Sequence, residues 1–374
     1  MTGPSSSPTP SNDQGSTRAA DTAATVGSLA VSTWALTGGG GFLGYHLAGR
    51  LAGMGHRVRS LDLEPAGDDP AGVHVEALVG DVRDEERARE LCRGAEVLVH
   101  AAAALPIRRS PEEIRSVNVE GTEVVLRAAV AEGVRRVVYV SSTAVYGVPA
   151  VHPITEETPL DPLGTYGVSK VQAEEVCRRF AQEGIEAVVL RPKTFLGPGR
   201  LGVFEILFEW IREGRRIYVI GSGHNRYQLL AVEDLVDAIV LAAEKAPSGT
   251  VLNLGAKSFG TVREDLQALI DHARSASRVV GVPSRPAQAV LRALELARLS
   301  PLAEWHYKTA DRDSFVDVSR AEELLGWRPR FSNAETLIAS YDWFIANEAV
   351  ARTAGTTHRT AWSQRALGLL KRVS

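Results

Sequence analysis

A tyrosine and a lysine four residues apart are the side chains of this sequence best placed to do chemistry. Tyr166 and Lys170 stand in the segment YGVSK, and helical spacing puts both on one face. A neighbouring ammonium lowers the pKa of a phenol from its usual value of about 10, so that the phenol can act as acid or base near neutral pH. Such a pair also arises by chance, and the residues around it decide whether it forms a site.

A row of hydroxyl groups follows the strand predicted ahead of this helix. Ser141, Ser142 and Thr143 come directly after the apolar run VVYV. A hydroxyl at a strand end can hydrogen-bond the oxygen whose proton the phenol moves. Serines at a strand end are also typical of an ordinary turn. In combination with Tyr166 and Lys170, they predict proton transfer at a carbinol or carbonyl oxygen.

A glycine-rich turn near the start of the chain predicts a dinucleotide site. Gly38, Gly41 and Gly44 form a GxxGxxG pattern between a predicted strand and a predicted helix. Glycine permits the tight turn and the close approach of a diphosphate, and the helix start offers free N–H groups. Asp62 ends the second predicted strand, where a carboxylate accepts from ribose hydroxyls and repels a 2′-phosphate, which favours NAD over NADP. Asp81, after the third strand, either faces the adenine or caps the next helix.

The scaffold for these residues is predicted from the alternation of short β-branched runs and amphipathic runs. This alternation indicates βαβ units and a parallel sheet. The predicted fold class is α/β, a Rossmann doubly wound parallel sheet with a smaller, mostly helical C-terminal substrate lobe over the strand ends. The predicted strands are 32–37, 57–63, 73–79, 96–100, 136–141, 187–191 and 250–254, and the predicted helices are 42–54, 111–132, 166–183, 203–212, 233–244, 262–274, 286–299 and 334–346.

Composition divides the chain into four parts. Residues 1–30 are mostly Ser, Thr, Pro, Gly and Ala, which predicts a disordered leader and not a secretory signal. Residues 31–192 form the predicted NAD-binding domain, to which residues 225–256 return. Residues 193–350 form the predicted substrate lobe. Residues 351–374 predict an amphipathic tail that packs on the body or on another subunit, or touches a membrane surface.

Overall composition narrows the classes of function. The chain has 374 residues, 44% hydrophobic and 23% charged, which is typical of a globular protein. The formal net charge is -3 without a strongly basic segment, so we expect no nucleic-acid partner. Cys92 and Cys177 form no CxxC pair, so we expect reduced thiols, a cytoplasmic protein and no cysteine-based metal site. No apolar run reaches the length of a membrane span, so we expect no integral membrane segment.

The ordered motifs resemble the extended short-chain dehydrogenase/reductase family, in its NAD-dependent epimerase/dehydratase branch. They are TGGGGFLG, GDV, HAAA, NVEGT, SSTAVYG, YGVSK and LRP followed by GPG, and they cover roughly residues 34 to 341. The resemblance implies an NAD-dependent enzyme that acts on a small molecule. It also implies a homodimer formed through a helix bundle that includes residues 166–183. The stretch 279–305 is predicted to be apolar and helical, and it is similar to stretches of 3β-hydroxysteroid dehydrogenase-like and flavonol reductase-like members, although core packing of the lobe is the favoured explanation.

The resemblance implies a role for each matching residue. Tyr166 is the expected general acid/base, Lys170 its activator and a ligand of the nicotinamide ribose, and Ser142 the donor to the reacting oxygen. This intact set argues against a protein that has kept the fold and lost the chemistry. Thr143 is expected to touch the substrate, and no metal is implied. The cofactor-binding positions are Gly38, Gly41, Phe42, Leu43, Gly44, Asp62, Asp81, Val82, His100, Ala101, Ala102, Asn118, Tyr166, Lys170 and Pro192.

The residues that the resemblance implies for substrate binding and catalysis favour two different interpretations of the reaction and its substrate. Dehydratases and decarboxylases of the family have acidic residues just after the catalytic hydroxyl, and Thr143 and Ala144 stand there. This favours an epimerase that oxidises and then reduces a sugar or nucleotide sugar. Arg226 and Lys308 match basic residues of the nucleotide-sugar enzymes, although an ion pair is the alternative for Arg226. Thr194 replaces the usual asparagine, which favours the second interpretation, a dehydrogenase or reductase of a hydrophobic hydroxy or keto compound.

Overall fold

The structure is a computed structural model that describes residues 31–64, 75–106, 109–200, 202–296 and 307–347, together with Met1 and Gly3. The predicted leader, residues 1–30, lies outside the described residues apart from Met1 and Gly3. The predicted tail, residues 351–374, also lies outside them. So do residues 297–305 of the apolar stretch.

Eleven strands occur among the described residues, and seven of them form one parallel sheet. The strands are β1 (Thr33–Thr37), β2 (Arg57–Asp62), β3 (Val75–Val79), β4 (Val97–His100), β5 (Arg136–Val140), β6 (Glu186–Pro192), β7 (Phe195–Leu196), β8 (Arg216–Ile220), β9 (Leu230–Ala231), β10 (Val251–Leu254) and β11 (Arg278–Val282). The order in the main sheet is β10-β6-β5-β4-β1-β2-β3, so β1 has β4 on one side and β2 on the other. The chain extends the sheet from β1 to β2 and β3 on one side and then crosses to β4 on the other, which creates the switch point where ligands of such sheets bind.

Helices cover both faces of the main sheet, so the predicted α/β class is confirmed. The first and seventh helices lie on one face, and the second, fourth and fifth on the other. The helices are α1 (Phe42–Gly53), α2 (Glu85–Cys92), α3 (Pro111–Arg115), α4 (Gly121–Ala131), α5 (Gly164–Gln182), α6 (Val203–Arg212), α7 (Val232–Lys245), α8 (Val262–His272), α9 (Ser284–Leu296), α10 (Ser319–Leu325) and α11 (Asn333–Ala346).

The core follows from the alternation of side chains along each strand. Leu36 and Val99 pack on the face of α1 and α7, whereas Ala35 and Leu98 pack on the face of α2, α4 and α5. Strands that are buried on both faces have apolar residues at successive positions, which explains the apolar runs in the sequence.

The predicted helix 111–132 is interrupted. It consists of α3, a π-helical turn at Ser116–Glu120 and α4. The wider turn coincides with Asn118, a buried polar residue whose side chain bonds to neighbouring segments instead of facing water. Such π turns often occur at functional positions.

The lobe contains more strands than the sequence predicted. Two small parallel sheets occur there, β7 with β9 and β8 with β11. The stretch 279–305, predicted to be helical, therefore begins as strand β11 and continues as α9. The β-branched run before Pro283 favours a strand because β8 supplies a partner for it. None of the helices in the described ranges is both long and apolar enough to cross a membrane.

Candidate active site

The glycine turn between β1 and α1 leaves no room for side chains. Gly38 has φ +79, and a Cβ there would lie 2.9 Å from the backbone nitrogen of Ala102. A Cβ on Gly44 would lie 2.1 Å from the carbonyl oxygen of Gly38. Gly41, the N-cap of α1, provides no side-chain cap, so the first N–H groups of the helix remain for a ligand.

Asp62 closes this turn from the end of β2. Its Oδ2 accepts from the Gly40 N–H at 2.9 Å, and its Oδ1 accepts from the Leu63 N–H at 2.7 Å. Burial raises the pKa of Asp62, whereas these hydrogen bonds lower it. A carboxylate fixed in this way keeps free lone pairs for ribose hydroxyls. The turn, the uncapped helix and the carboxylate together fit the diphosphate and ribose of a dinucleotide.

The loop after β4 is fixed to β1 by a buried histidine. Thr37 Oγ1 accepts from the N–H groups of Ala101 and Ala102, both at 3.1 Å, and lies 2.7 Å from His100 Nδ1. The Thr37 hydroxyl therefore donates to Nδ1, and Nε2 donates to Thr122 Oγ1 at 2.9 Å. Burial lowers the pKa of His100 to about 3, so the ring is neutral. The ring of His100 thus holds the loop, while the backbone of Ala101 and Ala102 lies against Gly38.

Asn118 joins the same loop to α5. Its Oδ1 accepts from the Ala104 N–H at 2.6 Å, and its Nδ2 donates to Ala104 O at 3.0 Å and to Ser169 Oγ at 2.9 Å. Ser169 lies between Tyr166 and Lys170 in the chain. The side chain predicted to bind the cofactor therefore positions two segments of the site.

The structure brings Ser142 and Tyr166 together. Ser142 Oγ accepts from the Ala144 N–H at 3.1 Å and begins a short 3-10 helix, Thr143–Tyr146. Ser142 lies near enough to the Tyr166 phenol to lower its pKa through hydrogen bonding. Burial raises the pKa of Tyr166 to about 12, while Ser142 and the charge of Arg200 lower it. The phenol is therefore protonated at neutral pH in the protein without ligands, and the expected role of Lys170 as its activator stays a prediction.

Lys170 lies in the core behind Tyr166. Its Nζ donates to Val140 O at 2.9 Å and to Tyr139 Oη at 3.2 Å, and lies 6.0 Å from the centroid of the Tyr166 ring. Burial lowers the pKa of Lys170 to about 8, while Glu174 raises it. An ammonium has three N–H donors, so one remains for a ligand hydroxyl beyond these two bonds.

A buried ion pair holds α5 against the sheet, and the sequence analysis missed it. The Arg191 guanidinium donates to both oxygens of Glu174, at 3.0 and 2.6 Å, and to Tyr146 Oη at 2.7 Å. Ser141 Oγ donates to the same carboxylate. Glu174 lies one helical turn beyond Lys170, so its position on the same face of α5 was the available signal.

Comparison with known proteins agrees with this geometry. Residues 34–255 match the model of the NAD dependent epimerase/dehydratase family. The chain belongs to this family. The resemblance noted in the sequence is confirmed, and the cofactor is NAD.

Three proteins illustrate what this family member is similar to. It is 36% identical to the uncharacterized protein y4nG of Sinorhizobium fredii over 91% of this chain and 86% of that protein. It is 30% identical to UDP-glucose 4-epimerase of Mycolicibacterium smegmatis over 83% of this chain and 97% of that protein. The crystal structure of UDP-glucose 4-epimerase of Thermotoga maritima with UDP-glucose aligns with TM-score 0.71 and 25% identity, over 84% of this chain and 99% of that chain.

The remaining predicted cofactor positions of this family member lie around the same edge of the sheet. Pro192 ends β6. Asp81 forms an ion pair with Arg83, with 2.5 Å between Oδ2 and the guanidinium, and Arg83 lowers the pKa of Asp81. The cap of α2 is Asp84 and not Asp81, because the Asp84 carboxylate accepts from the first N–H groups of that helix. The side chains of Phe42, Leu43 and Val82 are buried.

Three of the four predicted substrate residues lie in different surroundings. Thr143 directly follows Ser142 at the start of the 3-10 helix. Thr194 Oγ1 lies 3.2 Å from Tyr227 Oη, so the hydroxyl is paired within the protein. Lys308 is exposed, in the described range 307–347.

Arg226 is held by aromatic rings. Its guanidinium carbon lies 4.7 Å from the ring centroid of Phe259 and 4.5 Å from that of Phe315. The ion pair considered for Arg226 in the sequence does not appear among the described residues, and its side chain is exposed. Stacking fixes the plane of a guanidinium without using its donors.

Lys193 is a buried cation that the sequence analysis missed. Its Nζ donates to Ser314 Oγ at 2.6 Å and lies 4.7 Å from the centroid of the Tyr227 ring. Burial lowers the pKa of Lys193 to about 7. Its place between Pro192 and Thr194, two predicted site residues, was the signal for it.

Proposed function

We propose that the protein is an epimerase that inverts a carbinol carbon of a sugar or nucleotide sugar by transient oxidation to the ketone. The observation that carries the proposal is the group formed by Ser142, Tyr166 and Lys170 at the carboxyl ends of β5 and β6, with no acid directly after the catalytic hydroxyl. NAD, when bound, supplies the reversible hydride chemistry for such a reaction.

The proton transfers belong to Tyr166 and Ser142. During oxidation the phenolate form of Tyr166 takes the proton of the substrate hydroxyl, and during reduction the phenol returns a proton to the ketone oxygen. Ser142 hydrogen-bonds the same oxygen and Tyr166, which keeps the two oxygens in line for transfer. Lys170 stabilises the phenolate by its charge and holds the nicotinamide ribose with its remaining donor. The loop held by Asn118 and the turn closed by Asp62 hold the rest of the cofactor.

The residues beside this group support epimerisation over elimination. Dehydration and decarboxylation need a group that moves a proton or stabilises charge at a neighbouring carbon. Thr143 and Ala144 carry no carboxylate. Arg226 supports a nucleotide sugar because an exposed guanidinium binds a diphosphate in a bidentate manner.

One observation favours a second candidate, an NAD-dependent dehydrogenase or reductase of a hydrophobic hydroxy or keto compound. Thr194 stands where the nucleotide-sugar enzymes of this family have an asparagine, and its hydroxyl is paired with Tyr227. A substrate without a diphosphate would not need that amide.

The test is an assay of purified protein with nucleotide sugars and without added NAD. We expect NMR to detect the epimer and denaturation to release NAD. Tyr166→Phe should abolish turnover and keep the cofactor, whereas Tyr218→Phe, in β8, should leave both unchanged. Stoichiometric consumption of free NAD with a hydrophobic alcohol, and no epimer, favours the second candidate. Turnover by Tyr166→Phe contradicts the assignment of the acid/base.

We further propose a homodimer through the outer faces of α4 and α5. Val130 is 48% exposed there, and Glu123 pairs with Arg127 at 3.2 Å and with Arg179 at 3.1 Å. Interfaces commonly have an apolar centre and a polar rim, and this surface has both. Light scattering should give the mass of two chains for the wild type and for Val151→Glu, and of one chain for Val130→Glu. A wild type with the mass of one chain contradicts the proposal.

A further inference from the structure

Arg200 is a buried cation beside the first turn of α1. It follows the Gly197–Gly199 turn in the substrate lobe, and it is 8% exposed. Its guanidinium carbon lies 5.2 Å from the ring centroid of Phe42 and 5.4 Å from that of Phe195. These two rings are nearly parallel, with 6.0 Å between their centroids. The aromatic contacts fix the guanidinium in place without using its hydrogen-bond donors.

The Arg200 side chain lacks a partner that its burial requires. Its Nε is buried and has no hydrogen-bond partner within the described part of the chain. Burial lowers the pKa of Arg200 to about 9, while the neighbouring Tyr166 raises it. A buried charge is stable only when it is paired and hydrogen-bonded, so this guanidinium calls for an anionic ligand.

The turn that carries Arg200 is fastened to α1. Pro198 O accepts a hydrogen bond from His46 Nε2 at 2.8 Å, and the Arg200 N–H donates to Gly197 O at 3.0 Å. Gly199 has φ +87, a conformation that favours glycine. The position of Arg200 is therefore fixed relative to the glycine turn that precedes α1.

Two features beside Arg200 identify the class of anion. Phe42, against which it stacks, is the first residue of α1, where uncapped N–H groups and the helix dipole favour a phosphate. Tyr166, whose pKa Arg200 lowers, belongs to the group expected beside the nicotinamide. NAD carries its diphosphate between its two nucleosides, so a cation near both features lies where that diphosphate is expected.

We propose that Arg200 donates hydrogen bonds to the diphosphate of NAD at the N-terminus of α1, and thereby retains the cofactor on the protein. The inference rests on the proposed function only for the use of NAD, and it does not depend on the substrate. It accounts for a buried arginine in the substrate lobe that neither the glycine pattern nor Asp62 explains. An epimerase has no net change in redox state, so a cofactor held by this additional cation need never leave.

The test compares Arg200→Met, which keeps the length and removes the charge, with Arg200→Lys and the wild type. Arg50→Met is the matched control, because Arg50 lies in the last turn of α1 and its pair with Asp237 is exposed. Calorimetry measures the binding of NAD, ADP-ribose and adenosine to nucleotide-free protein. We expect Arg200→Met to weaken both diphosphate ligands about 10- to 100-fold, because charge-assisted hydrogen bonds are lost. Adenosine should change less than about twofold, Arg200→Lys should be intermediate, and Arg50→Met should match the wild type.

Equal affinity of the wild type and folded Arg200→Met for NAD and ADP-ribose overturns the inference. The inference is overturned by equal affinities even if the KM of Arg200→Met for a nucleotide sugar rises, because that rise would show that Arg200 binds the substrate. Should Arg200→Met not fold, the NAD that remains per chain after gel filtration of Arg200→Lys decides: a loss supports the inference, and retention equal to the wild type overturns it. A wild type that retains NAD but epimerises nothing contradicts the proposed function instead.

Discussion

Lys193 predicts a dependence of stability on pH that an exposed lysine does not have. Its side chain is 3% exposed, and burial lowers its pKa from 10.5 to about 7. In the unfolded chain the lysine regains its usual pKa of about 10.4. Between these values the unfolded chain binds a proton that the folded protein has released. The free energy of unfolding therefore rises with pH from about 7 upward, and this contribution ends near 10.

The size of the effect follows from the same pKa values. One proton exchanged across one pH unit changes the free energy of unfolding by about 1.4 kcal/mol. The folded lysine is half protonated at pH 7 and almost neutral at pH 9, so the contribution over this interval is about 2 kcal/mol. Lys193→Met removes this contribution. Lys257→Met, which removes a lysine that is 67% exposed, should not.

The assay is urea unfolding followed by circular dichroism at pH 7, 8 and 9. Other buried groups titrate in the same range, so the informative quantity is the difference in pH slope between proteins. The wild type and Lys257→Met should share one slope, and Lys193→Met should gain about 2 kcal/mol less between pH 7 and 9. Equal slopes in the wild type and Lys193→Met would refute the reasoning, because Lys193 would then have its ordinary pKa.

Three further predictions concern the scaffold of the site. Glu174→Gln should lower the free energy of unfolding by about 3 kcal/mol, because it leaves the Arg191 charge buried and uncompensated; a loss below about 1 kcal/mol on chemical denaturation contradicts this. Gly44→Ala should abolish NAD binding in calorimetry, because its Cβ would lie 2.1 Å from a backbone oxygen of the glycine turn, whereas Gly53→Ala in the same helix meets nothing within 4 Å and should bind normally. Asp62→Ala should weaken NAD about tenfold and improve NADP relative to it, since the carboxylate that accepts from the ribose is lost; an unchanged ratio of the two affinities refutes that role.

The sequence predicted those parts of the site that depend on local geometry. A glycine pattern between a strand and a helix, a strand-end acid and a Tyr–Lys pair on one helical face each specify their own neighbourhood. The parallel sheet followed in the same way from alternating elements, and the predicted strand 250–254 lies beside β6 as β10.

Contacts between distant segments were beyond the sequence. Lys193 contacts Ser314, and Arg191 contacts Glu174, only after the lobe and α5 have packed. The spacing of these residues in the sequence therefore does not predict either pair. The pKa of Tyr166 was expected to fall because Lys170 is its neighbour on the helix, but burial of the phenol raises it. Strand β11 was taken for helix because its partner β8 lies far back in the chain.

The position of α7 has a consequence for the synthesis of this protein. The face of the main sheet that carries α1 is completed by α7, which ends at residue 245, whereas β6 ends at residue 192. At ~5–20 residues per second a ribosome needs about 3 to 10 s to make the intervening chain. For that time the nascent chain holds β5 and β6 with valines and leucines that α7 will later cover. The emerging chain is therefore expected to bind a chaperone in this interval, and release should coincide with the appearance of α7.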